Sequence, residues 1–203
     1  MSLVFNLQKE DAQPIKFNIN KRQKFIVELY WETSHDLDVH MFLLQQGKMQ
    51  EQQDLISYCN EALVLVEDNS KLHTAGCKKP FQNISGSVKH LGDARTGISL
   101  DLRQPDEVVE INIATLPTTR DELPIFVCGY PQNAVKFKEV NNCFLKVKDD
   151  TGVELFQANL TSDFDQFTGV QMGSFVKGSS GWEFKPVAVG FTNGLEQIIG
   201  AYS

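Results

Sequence analysis

Residues 178–189, GSSGWEFKPVAV, contain the pattern that decides the fold class of this chain. Trp182 and Phe184 alternate with charged residues, as in a β-strand that buries one of its faces. The GSSG before them consists of turn-forming residues, and a second apolar run, residues 170–176, lies before this turn. The stretch therefore predicts two strands joined by a short turn.

Short apolar runs separated by turn residues recur along the chain, and Phe, Val and Ile are frequent in them, as strands prefer. A short C-terminal helix is predicted for residues 193–200, where apolar residues fall on one helical face. We therefore predict an all-β fold, a β-sandwich of two mainly antiparallel sheets with this helix at its end. The predicted strands are residues 3–7, 15–19, 24–31, 39–45, 55–59, 98–102, 108–114, 125–130, 143–147, 154–159, 170–176 and 182–189.

The length of 203 residues suits one sandwich domain, residues 1–203, with a long excursion at about 61–90. A net charge of −7 argues against binding to nucleic acid, which requires a basic surface. No signal peptide and no apolar run long enough to span a membrane is recognised, so we expect a cytoplasmic protein. In that compartment the four cysteines are expected to be free thiols.

Three acidic segments stand at the ends of predicted strands, where loops can supply oxygen ligands to a cation. Asp36 and Asp38 are two residues apart, which places both side chains on the same side of an extended segment. Asp93 lies in a loop bracketed by glycines, and Asp106 and Glu107 directly precede an apolar strand. Each segment taken alone is explained more simply as a solvated turn or as charges that protect a sheet edge.

The common enzyme motifs are missing from the sequence, including the Gly-x-Ser-x-Gly elbow, the phosphate-binding loop and the His-Glu-x-x-His helix. We therefore expect a protein that is not an enzyme. An unrecognised catalytic site within residues 61–90 is a minor alternative. A zinc site is another, and its ligands would be the irregularly spaced Cys59, Cys77, His73 and His90.

Several motifs occur in a fixed order from about residue 24 to the end of the chain. They are FIVELYW (25–31), DLD (36–38), FLL (42–44), GDARTG (92–97), DEVVEI (106–111), GSF (173–175) and WEFKPVAVGF (182–191). Taken together, they resemble the TerD family of tellurium-resistance and stress-response proteins.

The resemblance implies a β-sandwich that holds calcium in acidic loops at one end. Carried over residue by residue, it implies that the calcium ligands are Asp36, Asp38, Asp93, Asp106 and Glu107. It further implies a calcium-binding stress-response protein that acts through other proteins of a stress-response complex. Any membrane association would then be made through a partner and not by direct insertion, and a homo-oligomer is left open.

Two departures from the family pattern reduce the expected number of calcium sites. Residues 98–105 interrupt the dense acidic run of the family, and an Asn ligand is either displaced to Asn60 or lost to Cys59. Fewer carboxylates weaken calcium binding. We therefore expect one calcium site, and the main alternative is a structural or assembly sandwich that has lost its metal.

Overall fold

Two β-sheets pack face to face in the part of the chain that the computed structural model describes, residues 23–67, 79–97, 104–130 and 135–203. The strands are β1 Lys24–Tyr30, β2 Leu37–Phe42, β3 Leu55–Ile56, β4 Val64–Leu65, β5 Phe81–Gln82, β6 Val88–His90, β7 Glu107–Asn112, β8 Glu122–Gly129, β9 Phe144–Asp149, β10 Glu154–Asn159, β11 Gly169–Gly178 and β12 Gly181–Phe191. The helices are α1 Leu160–Asp163 and α2 Gly194–Tyr202, and short 3-10 helices cover Gln52–Asp54, Ile113–Thr115 and Phe137–Glu139.

One sheet has seven strands in the order β10-β9-β1-β7-β6-β5-β4, and the other has five in the order β12-β11-β8-β2-β3. Every pairing between these strands is antiparallel. Helix α2 covers one face of the five-stranded sheet, where Leu195 and Ile198 form a cluster with Phe42 and Phe126. The predicted sandwich of two antiparallel sheets with a short C-terminal helix is confirmed. None of the described helices is long and apolar enough to cross a membrane.

The core lies between the sheets because alternate residues of facing strands point into the same space. On β1, Phe25, Val27 and Leu29 are buried, while the residues between them face outward. On β11, Phe175 joins the two sheets, since its ring centroid lies 4.9 Å from that of Phe25 and 5.2 Å from that of Phe184. The alternation that was visible in the sequence at residues 182–185 therefore determines which face of β12 enters this core.

The turn between β11 and β12 is the two-residue hairpin that the sequence predicts. Gly178 pairs with Gly181, and Ser179 and Ser180 form the connection between them. Gly181 has a φ of +121°, a conformation that residues with a Cβ rarely adopt. Glycine at this position therefore allows the chain to reverse and β12 to pair with β11.

The stretch 61–90, predicted as an excursion, contributes β4, β5 and β6 to one end of the seven-stranded sheet, and Phe81 and Val88 are buried in the core. The strand predicted at 55–59 ends at Ile56, because the chain turns where the Asn60 amide donates to the Ser57 carbonyl. The strands predicted at 3–7, 15–19 and 98–102 and the rest of this stretch, residues 68–78, lie outside the described residues.

Gly173→Ala is expected to destabilise the fold. A Cβ at this position would lie 2.4 Å from the ring of Phe184 and 2.9 Å from the carbonyl oxygen of Lys185, and both neighbours belong to the paired strand β12. We expect the free energy of unfolding in urea to fall by about 1–3 kcal/mol. Gly200→Ala in α2 is the control, because nothing lies within 4 Å of its added Cβ. It should stabilise the helix by up to about 1 kcal/mol. Equal stability of Gly173→Ala and the wild type would contradict this packing.

Candidate metal centre

Three aspartates from two sheets meet at one end of the sandwich. Asp36 lies directly before β2, Asp38 lies in β2, and Asp93 lies in the loop that follows β6 of the other sheet. Each offers one carboxylate oxygen, and these three oxygens all lie within 4.8 Å of one another. Within the described ranges, this is the only group of three or more side chains that could ligate one metal ion. We call it the aspartate triad.

The spacing of Asp36 and Asp38 places both side chains on one side of the extended chain, as the sequence predicts. Asp93 reaches them because the chain turns after β6 at Gly92, which has a φ of +123°. Asp38 is 2% exposed and Asp93 is 7% exposed, whereas Asp36 is partly exposed. The triad is therefore a mostly buried group of carboxylates that opens to solvent on the side of Asp36.

Close packing between two loops keeps the triad together. The Gly97 amide donates to the Thr33 carbonyl over 3.0 Å, which joins the end of the Asp93 loop to the segment that leads to Asp36. A Cβ on Gly97 would lie 2.3 Å from the Trp31 ring, so a side chain here would force the loops apart. Trp31 is fixed in turn, because its indole Nε1 donates to the His35 carbonyl over 2.8 Å.

The triad contains carboxylate oxygens whose hydrogen-bonding capacity is not used. Oδ1 of Asp36 and Oδ2 of Asp38 are buried and have no hydrogen-bond partner in the described portion of the chain. A buried polar atom without a partner carries a penalty of about 1–3 kcal/mol, and more when it is charged. Calcium takes oxygen ligands at about 2.3–2.6 Å in loosely defined geometry. The triad therefore fits such a cation in both donor type and unused capacity.

The raised pKa values of Asp36 and Asp38 indicate that full ionisation of the triad is unfavourable. Burial, and next the charges of Asp93 and Glu107, raise the pKa of Asp36 from 3.8 to about 7. Burial, followed by the charges of Glu107 and Asp36, raises the pKa of Asp38 well above its ordinary value. The site therefore favours a bound proton or a bound cation over three free carboxylates.

Asp106 and Glu107, the other two predicted ligands, lie outside the triad and contact backbone amides. Oδ2 of Asp106 accepts a hydrogen bond from the Trp31 amide over 2.9 Å. Glu107 is buried, and its two oxygens accept from the amides of Val39 and Ala94. Burial raises the pKa of both carboxyls, that of Asp106 to about 6. The structure therefore brings together three of the five predicted ligands.

The expected asparagine ligand is not available at Asn60. Its side-chain amide donates to the carbonyls of Gln52 and Leu55 over 2.7 and 2.6 Å, and its oxygen accepts from the Ala62 amide. Cys59 is exposed, and its sulfur lies 3.2 Å from the hydroxyl of Ser57. Both residues therefore belong to the turn after β3. Of the four residues in the zinc alternative, His73 and Cys77 lie outside the described residues.

Two rings close to Asp38 were not singled out from the sequence: His40 lies on the same strand, and the charge of Asp38, after burial, raises the pKa of Tyr58. His40 is buried, and its ring lies 6.0 Å from that of Tyr58, which lies 5.7 Å from that of Tyr130. Burial, and next the charge of His90, lower the pKa of His40 to about 3, so its ring is neutral at physiological pH. The sequence contained a signal for the position of His40. It follows Asp38 by two residues, so both side chains point to the same face of the strand.

Comparisons with known proteins agree on one family. A family model described as the TerD domain matches residues 3–202. The chain is 28% identical to the tellurium resistance protein TerD of Alcaligenes sp over 171 residues, which cover 82% of this chain and 77% of that protein. It is 29% identical to the tellurium resistance protein TerZ of Serratia marcescens over 121 residues, which span 60% of each chain.

Two crystal structures share the fold. One is a homologue of telluride resistance protein (TerD) from Streptomyces coelicolor A3(2), with a TM-score of 0.66, 16% identity, and coverage of 88% of this chain and 95% of that chain. The other is a protein of unknown function, SAV2460, with a TM-score of 0.67, 16% identity, and coverage of 90% of this chain and 98% of that chain. At this level of identity the likeness shows the architecture alone.

In metal-free protein, Asp36→Asn is expected to raise the melting temperature more at about pH 8 than near pH 5. A carboxyl whose pKa is raised on folding loses its stabilising proton as the pH rises through about 7. Asparagine has no proton to lose and adds no repulsion at high pH. Thermal unfolding in EDTA across this range measures the difference, with the exposed Asp165→Asn as the control. A benefit of Asp36→Asn that is larger near pH 5 would contradict this expectation.

Proposed function

The chain belongs to the TerD family, and from that premise we propose that it binds one calcium ion through Asp36, Asp38 and Asp93. In this proposal the protein acts through partner proteins in a stress response of the tellurium-resistance type, and it catalyses no reaction. The observation that carries the proposal is the unpartnered Oδ2 of Asp38, a side chain that is only 2% exposed and lies beside two further carboxylates.

Electrostatics explains why a cation belongs at this position. Removing charges from water is costly unless opposite charge compensates for it. No basic side chain is hydrogen-bonded to the triad among the described contacts, and Arg95 acts on Asp36 only as a minor charge that lowers its pKa. A divalent cation supplies the missing positive charge and the missing partners of two carboxylate oxygens.

Calcium is favoured over other metals by the donor set. The triad offers carboxylate oxygens only, and hard oxygen donors suit calcium and magnesium more than zinc or copper. Magnesium requires near-ideal octahedral geometry and usually keeps several waters, whereas calcium accepts irregular sites on loops. The triad, which is formed by one strand and two loops, matches the looser requirement of calcium.

Mechanistically, the ion would act as a structural link. Asp38 belongs to the five-stranded sheet and Asp36 directly precedes its strand β2, whereas Asp93 follows a strand of the seven-stranded sheet. An ion bound to all three would lock the two loops as one surface, which partner proteins could then recognise. The family names of the curated relatives refer to tellurium resistance, and we extend that setting to this chain as part of the proposal.

Features of the described cysteines support a non-catalytic role in a reducing compartment. Cys59, Cys128 and Cys143 are free thiols. Burial raises the pKa of Cys128 and Cys143, which makes both poor nucleophiles.

Calcium is expected to raise the melting temperature of the wild-type protein, and magnesium is not. At a concentration about 100 times its dissociation constant, calcium would add about 2.7 kcal/mol to the free energy of unfolding. Asp38→Asn should sharply reduce this gain, because it removes one negative charge from the ligand set. Asp165→Asn is the matched control, since this exposed aspartate lies in a turn outside the triad.

Titration calorimetry then measures how many ions bind per chain. It uses the same four combinations: wild type with calcium, wild type with magnesium, and each of the two variants with calcium. One calcium ion per chain is expected for the wild type and for Asp165→Asn. An unchanged melting curve for the wild type, together with a defined oligomer in light scattering, would contradict calcium binding. That combination would favour an assembly protein that has lost its metal.

A further inference from the structure

Glu107 joins the two backbone segments that carry the buried members of the triad. Its Oε2 accepts a hydrogen bond from the amide of Val39, the residue after Asp38, over 2.8 Å. Its Oε1 accepts from the amide of Ala94, the residue after Asp93, over 3.3 Å. One carboxylate therefore fixes the distance between two backbone positions, each directly adjacent to a proposed calcium ligand.

Glu107 supplies a hydrogen-bond acceptor at a place where one edge of β2 has no neighbouring strand among the described residues. Strand β3 pairs with β2 only at Met41 and Phe42, so among the described residues no strand covers the edge of β2 at Val39. Glu107 belongs to β7 of the other sheet and lies two residues before Val109, so it shares the strand face of Val109, whose side chain enters the core. Its carboxylate reaches across between the sheets and accepts the hydrogen bond that a neighbouring strand would otherwise accept.

His90 holds Glu107 in this orientation. The Gly92 amide donates to Nδ1 of His90 over 3.2 Å, so Nδ1 carries no proton and Nε2 is the protonated nitrogen. Nε2 faces Oε2 of Glu107 at 3.4 Å. The imidazole stacks on Phe81 with the ring centroids 4.7 Å apart and an angle of 11° between the planes. Glu107 therefore contacts hydrogen-bond donors from three segments of the chain.

We propose that Glu107 is a positioning residue for the calcium site and is not itself a calcium ligand. The inference rests on the proposed function, since it assigns the part that Glu107 has in that site. Its oxygens face backbone amides and His90, and it lies outside the triad. By fixing Val39 and Ala94, it holds Asp38 and Asp93 at ligating distance against their mutual repulsion.

The expected loss of calcium affinity can be estimated from other metal sites in which a residue that hydrogen-bonds near the ligands was replaced. Residues that orient ligands typically change metal affinity by about 10- to 100-fold when they are replaced. Glu107→Gln keeps the volume but places an NH₂ group against one of the two backbone amides, so one hydrogen bond is replaced by two facing donors. Glu107→Asp keeps the charge but is one methylene shorter, so it cannot reach both amides.

The test compares full-length wild type, Glu107→Gln, Glu107→Asp, Asp38→Ala and Glu110→Gln. Glu110 is the matched control, because it lies on the same strand with an exposed side chain. Calorimetry measures calcium affinity. The luminescence lifetime of bound Eu³⁺ in H₂O and in D₂O then counts the water molecules on the metal, which loss of a ligand increases by about one.

We expect both Glu107 variants to bind calcium about 10- to 100-fold more weakly, with an unchanged number of waters on Eu³⁺. Asp38→Ala should gain a water, and Glu110→Gln should match the wild type. An added water in the Glu107 variants would make Glu107 a ligand and overturn the proposal. So would an unchanged calcium affinity in folded protein that merely melts at a lower temperature.

Two further results separate this inference from the proposed function. If wild-type protein binds no calcium, the proposed function fails, and the positioning role fails with it. If the wild type binds calcium and a folded Glu107 variant binds it equally well, only the positioning role fails. Should Glu107→Gln not fold, Glu107→Asp decides the matter alone, because it leaves the charge of the core unchanged.

Discussion

Repulsion among three carboxylates is the constraint on which the site depends. Two unit charges about 4 Å apart repel by roughly 4 kcal/mol at an effective dielectric constant near 20. A single hydrogen bond to a charged group contributes only about 1.5–3 kcal/mol, so no one contact can hold the triad. The structure provides the close approach of Gly97 to Trp31 and the hydrogen bonds of Glu107 to Val39 and Ala94. The raised pKa of Asp36 further favours its neutral form.

The sandwich itself creates the place where such a group can form. Strand β3 is short and pairs with β2 only at Met41 and Phe42. Strand β2 also contacts β7 of the opposite sheet. Segments from both sheets therefore meet at the same point, and the members of the triad come from two distant parts of the sequence. A cation at this point would connect the two sheets, so its effect on stability would extend past the loops.

Periodicity in the sequence was sufficient for the fold class and for two of the three members of the triad. The alternation at 182–185 gave the buried face of β12, and the spacing of Asp36 and Asp38 placed them on one side. Periodicity did not predict that Asp93 joins the triad, because the approach of Asp93 depends on how the two sheets pack. Only the family resemblance linked Asp93 to Asp36 and Asp38. The sequence did contain a signal that the Glu107 side chain is buried. Glu107 precedes Val109 by two residues, which places both side chains on the core face of the strand. Its negative charge nevertheless favoured interpretation as a metal ligand.

Anomalous diffraction from crystals grown with calcium tests the central claim most directly. The account predicts one anomalous peak per chain, at about 2.3–2.6 Å from carboxylate oxygens of Asp36, Asp38 and Asp93. The oxygens of Glu107 should remain on the amides of Val39 and Ala94. Crystals that contain calcium but show no peak between these three aspartates would contradict the account.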